Sequence, residues 1–132
     1  MRCSREAEFP GVRFPDPNPA VAAPTPGWVV EGIADYIRWF LYEPETRGAE
    51  ITRRALPRAR YDGNYRVSAN FIDWVTRNGD AELVRHLNAA ARQGTYRDTL
   101  WHDRTGKSLQ QLGEEWLAEL QQRLDASRGA DP

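Results

Sequence analysis

Pro26-Gly27-Trp28-Val29-Val30-Glu31-Gly32-Ile33-Ala34-Asp35-Tyr36 is the stretch on which the reading of this chain turns. Apolar residues recurring at intervals of three and four open a helix here, expected over about 28–42. Val30, Ile33, Ile37 and Leu41 fall on one apolar stripe, flanked by Val29 and Phe40. Glu31, Asp35, Arg38 and Tyr42 take the opposite face, and Pro44 stops the helix shortly after. The spacing puts the Glu31 and Asp35 carboxylates one turn apart on a shared face. A pair so placed can hold a metal through the first carboxylate while the second orients a neighbouring ligand. The plain alternative is a solvated acidic face, with Asp35 paired to Arg38 and Glu31 favoured by the positive end of the helix dipole.

The helical pattern extends from Gly27 to Ser127. Residues 43–64 read as mostly irregular, with Pro57, a turn signal at Asp62-Gly63-Asn64 and a short helix at 49–54. A second helix, about 65–77, buries Val67, Phe71, Trp74 and Val75, and Gly79 suits a left-handed cap. Asp80 reads as the N-cap of a third helix over 81–92 with Leu83, Val84, Leu87 and Ala91 inward, closed by Gly94. A short helix follows at 96–102. Ser108-Leu109-Gln110-Gln111 is a capping box, ahead of Leu109, Leu112, Trp116, Leu117, Leu120 and Leu124 at helical spacing. No repeat and no alternating β pattern stands out. The expected fold is all-α, a small bundle of about four to five helices with short connections.

Six of the nine prolines lie within residues 1–26, which read as an extended or disordered lead-in. The helical domain then covers 27–127, with a polar, frayed tail over 128–132. At 132 residues the chain is one domain's worth or less, long enough for a real core, and its five tryptophans and five tyrosines are a heavy aromatic load. A formal net charge of -1 argues against a nucleic-acid or anionic-membrane partner. No apolar run reaches the length of a membrane span, and no signal peptide is visible at the start. Cys3 stands alone, so no internal disulfide forms.

Other chemical candidates are weak. Thr105-Gly106-Lys107-Ser108 looks like the end of a phosphate-binding loop, but Trp101 stands where that motif needs glycine. A turn feeding a helix start is the better account. His86, one turn after Glu82, and His102, beside Asp103, read as ordinary surface or satisfied side chains. No serine sits in a nucleophile-elbow pattern. Carboxyls one turn apart on one helix do not straddle a sugar bond, which argues against glycoside hydrolysis. Tyr61-Asp62-Gly63-Asn64-Tyr65 reads first as turn chemistry with two rings packed on the domain.

Three ordered blocks resemble the basic secretory protein family, zinc-metallopeptidase-like proteins related to the gluzincins. Pro26 to Arg38 resembles the family's signature helix. Tyr65-Arg66-Val67-Ser68-Ala69-Asn70-Phe71-Ile72-Asp73-Trp74 is similar to its Tyr-x-Val-Thr-Ala-x-Phe-Leu-Asp helix, followed by Leu83 to Asn88. Leu100 and Thr105 to Trp116 resemble its closing Leu-x-Gly-Lys-Thr-Val-x-x-Leu-Trp segment. The resemblance covers about 24–124. It implies the C-terminal part of a gluzincin-like domain that hydrolyses peptide bonds with zinc-activated water. It also implies Glu31 as a zinc ligand, Asp35 as the acceptor that orients a zinc-bound histidine, and Tyr65, with Tyr61 as rival, as a hydrogen-bond donor to the transition state. A peptide or protein substrate and export from the cell are implied with it.

One element of the family pattern is missing. Such enzymes carry His-Glu-x-x-His upstream of the signature helix, whereas the only histidines here are His86 and His102. The expectation is a fragment, or a gene model begun late, that is inactive and binds no stoichiometric zinc by itself. The alternatives are a degenerate relative kept as a non-catalytic module for binding protein or peptide, and a second chain that donates the histidine helix.

Overall fold

The structure, a computed structural model, describes residues 24–63 and 65–130, with side chains through Ser127. Of the expected lead-in, only 24–26 falls within the described residues, as does all but Asn64 of the Asp62-Gly63-Asn64 turn. The described residues form five α-helices and no strand. They are α1 Gly27–Tyr36, α2 Tyr65–Asn78, α3 Leu83–Gln93, α4 Thr99–Thr105 and α5 Leu109–Ala130. A π-helical continuation, Ile37–Tyr42, extends α1, and 3-10 turns occupy Pro44–Thr46 and Leu56–Arg58. The all-α bundle expected from periodicity is the fold.

The core is an aromatic cluster centred on Phe71 of α2. Its ring lies 5.3 Å from Trp101 of α4, 5.3 Å from Trp116 of α5, 5.5 Å from Tyr61 and 6.4 Å from Trp28 of α1. Trp28 also stacks on Trp101 at 5.7 Å. Offset and edge-on pairs at such distances add to the large area these rings bury. The polar ends of the two fully buried indoles are satisfied. Trp101 Nε1 donates to Tyr96 Oη (3.0 Å), which donates to Asp98 Oδ1 (2.9 Å), and Trp116 Nε1 donates to Asn70 Oδ1 (2.9 Å). Burial pushes the Tyr96 hydroxyl well above its ordinary range, so it serves as a neutral donor and acceptor.

Helix α1 presents a different face from the one its large apolar residues suggest. Val29, Gly32, Ile33 and Tyr36 are buried, whereas Val30 and Ile37 are each 47% exposed and Leu41 is 61% exposed. The cause is Gly32. A Cβ there would meet Ile72 Cδ1 at 2.9 Å and Ser68 Cβ at 3.0 Å, so α2 approaches most closely where α1 lacks a side chain. The wider turn that follows, in which the Arg38 carbonyl accepts from the Glu43 N–H at 2.8 Å, turns Trp39 and Phe40 partly inward.

Several local expectations shift as well. The helix expected at 49–54 is absent, and Leu56–Arg58 takes a single 3-10 turn instead. Asn70 Nδ2 pins this connection by donating to the Ala49 carbonyl at 2.8 Å. Gly79 is not left-handed; among the described residues the positive-φ glycines are Gly94 and Gly106. Gly79 is needed for a close approach, since a Cβ there would meet the Val75 carbonyl at 3.0 Å and Thr105 Cγ2 at 3.1 Å. Asp80 Oδ1 accepts from the Glu82 N–H (3.1 Å) just ahead of α3, which begins at Leu83 rather than 81. Along α3, Leu83, Leu87 and Ala90 are buried, with Val84 and Ala91 half-buried. The short fourth helix starts at Thr99 rather than 96, because Tyr96 is spent as a buried loop ring. Ser108 Oγ accepts from the Gln111 N–H (3.1 Å) and caps α5, as expected.

Two substitutions test this packing. Gly32→Ala is expected to destabilise by about 1–3 kcal/mol in urea unfolding, because Ile72 and Ser68 must give way. Asp80 accepts from Arg104 Nε at 2.8 Å, and that bond, ahead of the Glu82 N–H, holds its carboxyl below the usual range. A depressed acid contributes fully above the unfolded value near 3.9 and loses that contribution as pH falls through the folded value. Asp80→Asn should therefore cost roughly 0.5–1 kcal/mol at neutral pH, and its deficit should close below about pH 4.

Candidate functional site

Glu31 and Asp35 share the outer side of α1, as their spacing requires. Glu31 is exposed and Asp35 half-buried, and among the described residues no hydrogen bond or ion pair engages either carboxylate. The Asp35–Arg38 pair is not formed. Arg38 instead lies over the Trp39 ring at 4.5 Å, with its Nε 3.9 Å from Glu43 Oε1. At about 100° per residue, Val30, Ala34, Ile37 and Leu41 fall on one exposed strip, and Glu31 lies along its flank. An uncovered apolar strip beside a free carboxylate is an unusual surface for one helix.

Tyr65 begins α2 with its side chain 53% exposed and its backbone at φ 50. A non-glycine residue in that region carries local strain, which clusters at functional positions. Gly32, next to Glu31, packs on Ser68, one turn after Tyr65, so both candidates flank the α1–α2 contact. Tyr61 serves the core instead. Its ring meets Trp28 at 5.3 Å, and burial raises its hydroxyl above the ordinary value. Of the two tyrosines, Tyr65 is the exposed one and Tyr61 the one packed among core rings.

The histidines stand apart from this face. His86 lies on α3, half-buried, and its neighbour Glu82 pairs with Arg85 at 3.1 Å rather than with it. His102 is exposed on α4. Among the described residues there is no group of three or more His, Cys, Asp or Glu that could hold a metal ion. Zinc sites in proteins take at least three protein ligands, so the donor set displayed by α1 does not by itself fit zinc. The Thr105–Ser108 segment is the turn expected of it: Gly106 at φ 82 ends α4, and Lys107 pairs with Glu115 at 2.7 Å.

The family profile described as peptidase of plants and bacteria matches residues 19–116, from ahead of α1 to Trp116 in α5. The chain belongs to this family, the basic secretory proteins. Comparison with curated proteins and with solved structures finds no match. The matched segment holds the Glu31 turn, the Phe71 cluster and the start of α5, so family membership and the aromatic core coincide. No described helix is long and apolar enough to cross a membrane.

Sequence reasoning did not find a second assembly, behind the π-helical turn. Asp73 is buried on α2 and accepts from Arg77 Nε at 2.9 Å. Next to it, Trp74 Nε1 is buried with no acceptor among the described residues. Arg47 sits at φ 55. No motif marks these residues, because they come together only through the fold.

If Glu31 has no structural task, its charge is dispensable for folding. Glu31→Gln is expected to leave the unfolding midpoint in urea unchanged, within about 0.5 kcal/mol. A larger loss would mean that the carboxylate has an intramolecular partner.

Proposed function

We propose that this chain is the helical, carboxylate-bearing part of a zinc-dependent peptidase. In this reading it hydrolyses peptide bonds only together with a His-Glu-x-x-His segment that its 132 residues do not contain. Membership of a peptidase family supports the reaction class. The observation that carries the reading further is the unpartnered Glu31 carboxylate on the flank of the uncovered Val30–Ile37–Leu41 strip. A helix that brings histidines could cover the strip and place them beside Glu31. Asp35, one turn on, would orient such a ligand through a hydrogen bond, and Tyr65 would donate to the substrate at the same helix contact. The substrate is a peptide or protein, and the family resemblance favours export.

The same exposed strip also supports a second reading, a non-catalytic module that binds protein or peptide through apolar side chains. Restoring the missing segment separates the two. Fusing a His-Glu-x-x-His helix ahead of residue 27 should produce one equivalent of bound zinc, measured by metal analysis after gel filtration, together with peptidase activity. Glu31→Gln should lower zinc affinity by roughly 10–100-fold or more. The 132-residue chain alone should show neither property. Zinc-dependent peptide hydrolysis by that chain, abolished by Glu31→Gln, would overturn the need for added ligands, and a fused protein with no metal affinity would favour the module.

A further inference from the structure

Glu31 and Arg38 stand two turns apart on one flank of the exposed strip formed by Val30, Ala34, Ile37 and Leu41. Neither charge is well matched within the chain. Glu31 has no partner among the described residues. The Arg38 side chain is 60% exposed and reaches Glu43 only through Nε, at 3.9 Å. A guanidinium carries five N–H donors, so most of those on Arg38 are left for another acceptor.

The strip itself has the spacing of a helix seam. Its residues recur at intervals of four, three and four, the pattern by which one helix packs along another. Ten α-helical residues and the six π-helical residues that continue them carry it, ending at Tyr42, which is 79% exposed. On the flank away from Glu31, Ile33 is buried and Phe40 packs against the core, so no charge on that side opposes a second helix.

Read in reverse, this seam is complementary to itself. When two copies of the helix lie antiparallel about a two-fold axis, Val30 of one faces Leu41 of the other, and Ala34 faces Ile37. Each layer joins a smaller side chain to a larger one, which fills the seam evenly. The same register sets Glu31 of each copy beside Arg38 of the other, and the two-fold axis makes that contact twice. A parallel pairing does the opposite, because it sets Glu31 against Glu31 and Arg38 against Arg38. Antiparallel helices also bring the positive end of one dipole beside the negative end of the other. A net charge of -1 leaves little repulsion between whole copies.

We propose that the 132-residue chain forms a two-fold symmetric dimer through this face of α1, with two Glu31–Arg38 ion pairs beside the apolar seam. A second copy is the occupant because the face matches itself in side-chain size and in charge, in one orientation. Pairing does not depend on the peptidase reading, but it bears on it. A paired copy has its strip covered and Glu31 engaged by Arg38 of the other copy, so pairing and capture of a His-bearing helix exclude each other.

Sedimentation velocity of the full chain at low ionic strength tests this, over roughly 1 μM to 1 mM, the range in which a small interface dissociates. The wild-type chain should pass from monomer to dimer and no further, because a two-fold contact closes on itself. Ile37→Lys should remain monomeric, with its urea midpoint at the lowest concentration unchanged, since Ile37 is exposed. Glu31→Arg and Arg38→Glu should each weaken pairing by at least about fivefold, because both symmetric contacts become repulsive. Two combinations should restore it: the double variant Glu31→Arg/Arg38→Glu, and an equimolar mixture of the two single variants, which should form a mixed dimer. If Ile37→Lys does not fold, the charge variants decide alone. No zinc and no peptide hydrolysis enter these readouts, so their failure leaves the peptidase reading standing, and failure of the fused enzyme leaves the dimer standing. The proposal is overturned if the wild-type chain is monomeric at every concentration or forms larger species. It is equally overturned if folded Ile37→Lys pairs as well as wild type, or if neither combination pairs better than the single variants.

Discussion

Contact of the Phe71 ring with four others holds this fold in place. Each of those rings belongs to a different part of the chain: Trp28 to α1, Tyr61 to the long connection, Trp101 to α4 and Trp116 to α5. The connection between α1 and α2 has little regular structure, and α4 has only seven residues. Neither would hold a position by helix propensity alone. They are placed because large rings converge on one point and because Asn70, one residue before Phe71, ties the Ala49 carbonyl and the Trp116 indole to the same turn of α2. At the centre the Trp101 and Trp116 indole N–H groups each find an acceptor, so these two large rings are buried without an unmet donor.

The long helices were legible in order and approximate bounds, because the 3.6-residue period is strong in α2, α3 and α5, whereas the short one expected at 49–54 did not form. The phase of α1 was not legible. Large aliphatic residues marked Val30, Ile37 and Leu41 as inward, yet the decisive inward residue is Gly32, whose contribution is the absence of a side chain. Hydrophobic periodicity counts what is present and so misses a contact made by what is missing. The start of α4 was misplaced for a related reason, since Tyr96 joins the core from a loop and its burial carries no helical meaning.

The candidate site was legible only in part. Spacing correctly placed Glu31 and Asp35 on one side of a helix, and the family blocks drew attention to Tyr65, whose left-handed backbone no propensity scale would flag. The hollow beside Trp74 was invisible for the opposite reason. Arg47, Asp73, Trp74 and Arg123 are individually ordinary and widely separated along the chain, and their meaning comes from sharing one hollow. Strain and an orphan donor are properties of coordinates, not of residue types. The positive-φ residues are Arg47, beside this hollow, and Tyr65, and the orphan donor is Trp74, while among the described residues the Phe71 cluster shows neither, which separates the part of the molecule that holds shape from its more strained parts.

The composition of α1 makes the same distinction within one helix. A surface helix normally has one apolar face and one polar face. Here Val29, Gly32, Ile33 and Tyr36 pack inward, Val30, Ala34, Ile37 and Leu41 form a second strip facing outward, and Glu31, Asp35 and Arg38 fill a narrow polar band beside it. That is the pattern of a helix in a middle layer, with packing surface on two sides. Carboxylates in its polar band lie at the edge where a second layer would meet the first, so they would line a crevice rather than a flat surface. A middle-layer α1 would explain with one cause why large aliphatic side chains are exposed, why the carboxylates have no partner among the described residues and why Arg38 turns away to Trp39 and Glu43. A solvated acidic face accounts for the second of these and leaves the exposed aliphatic strip without a cause.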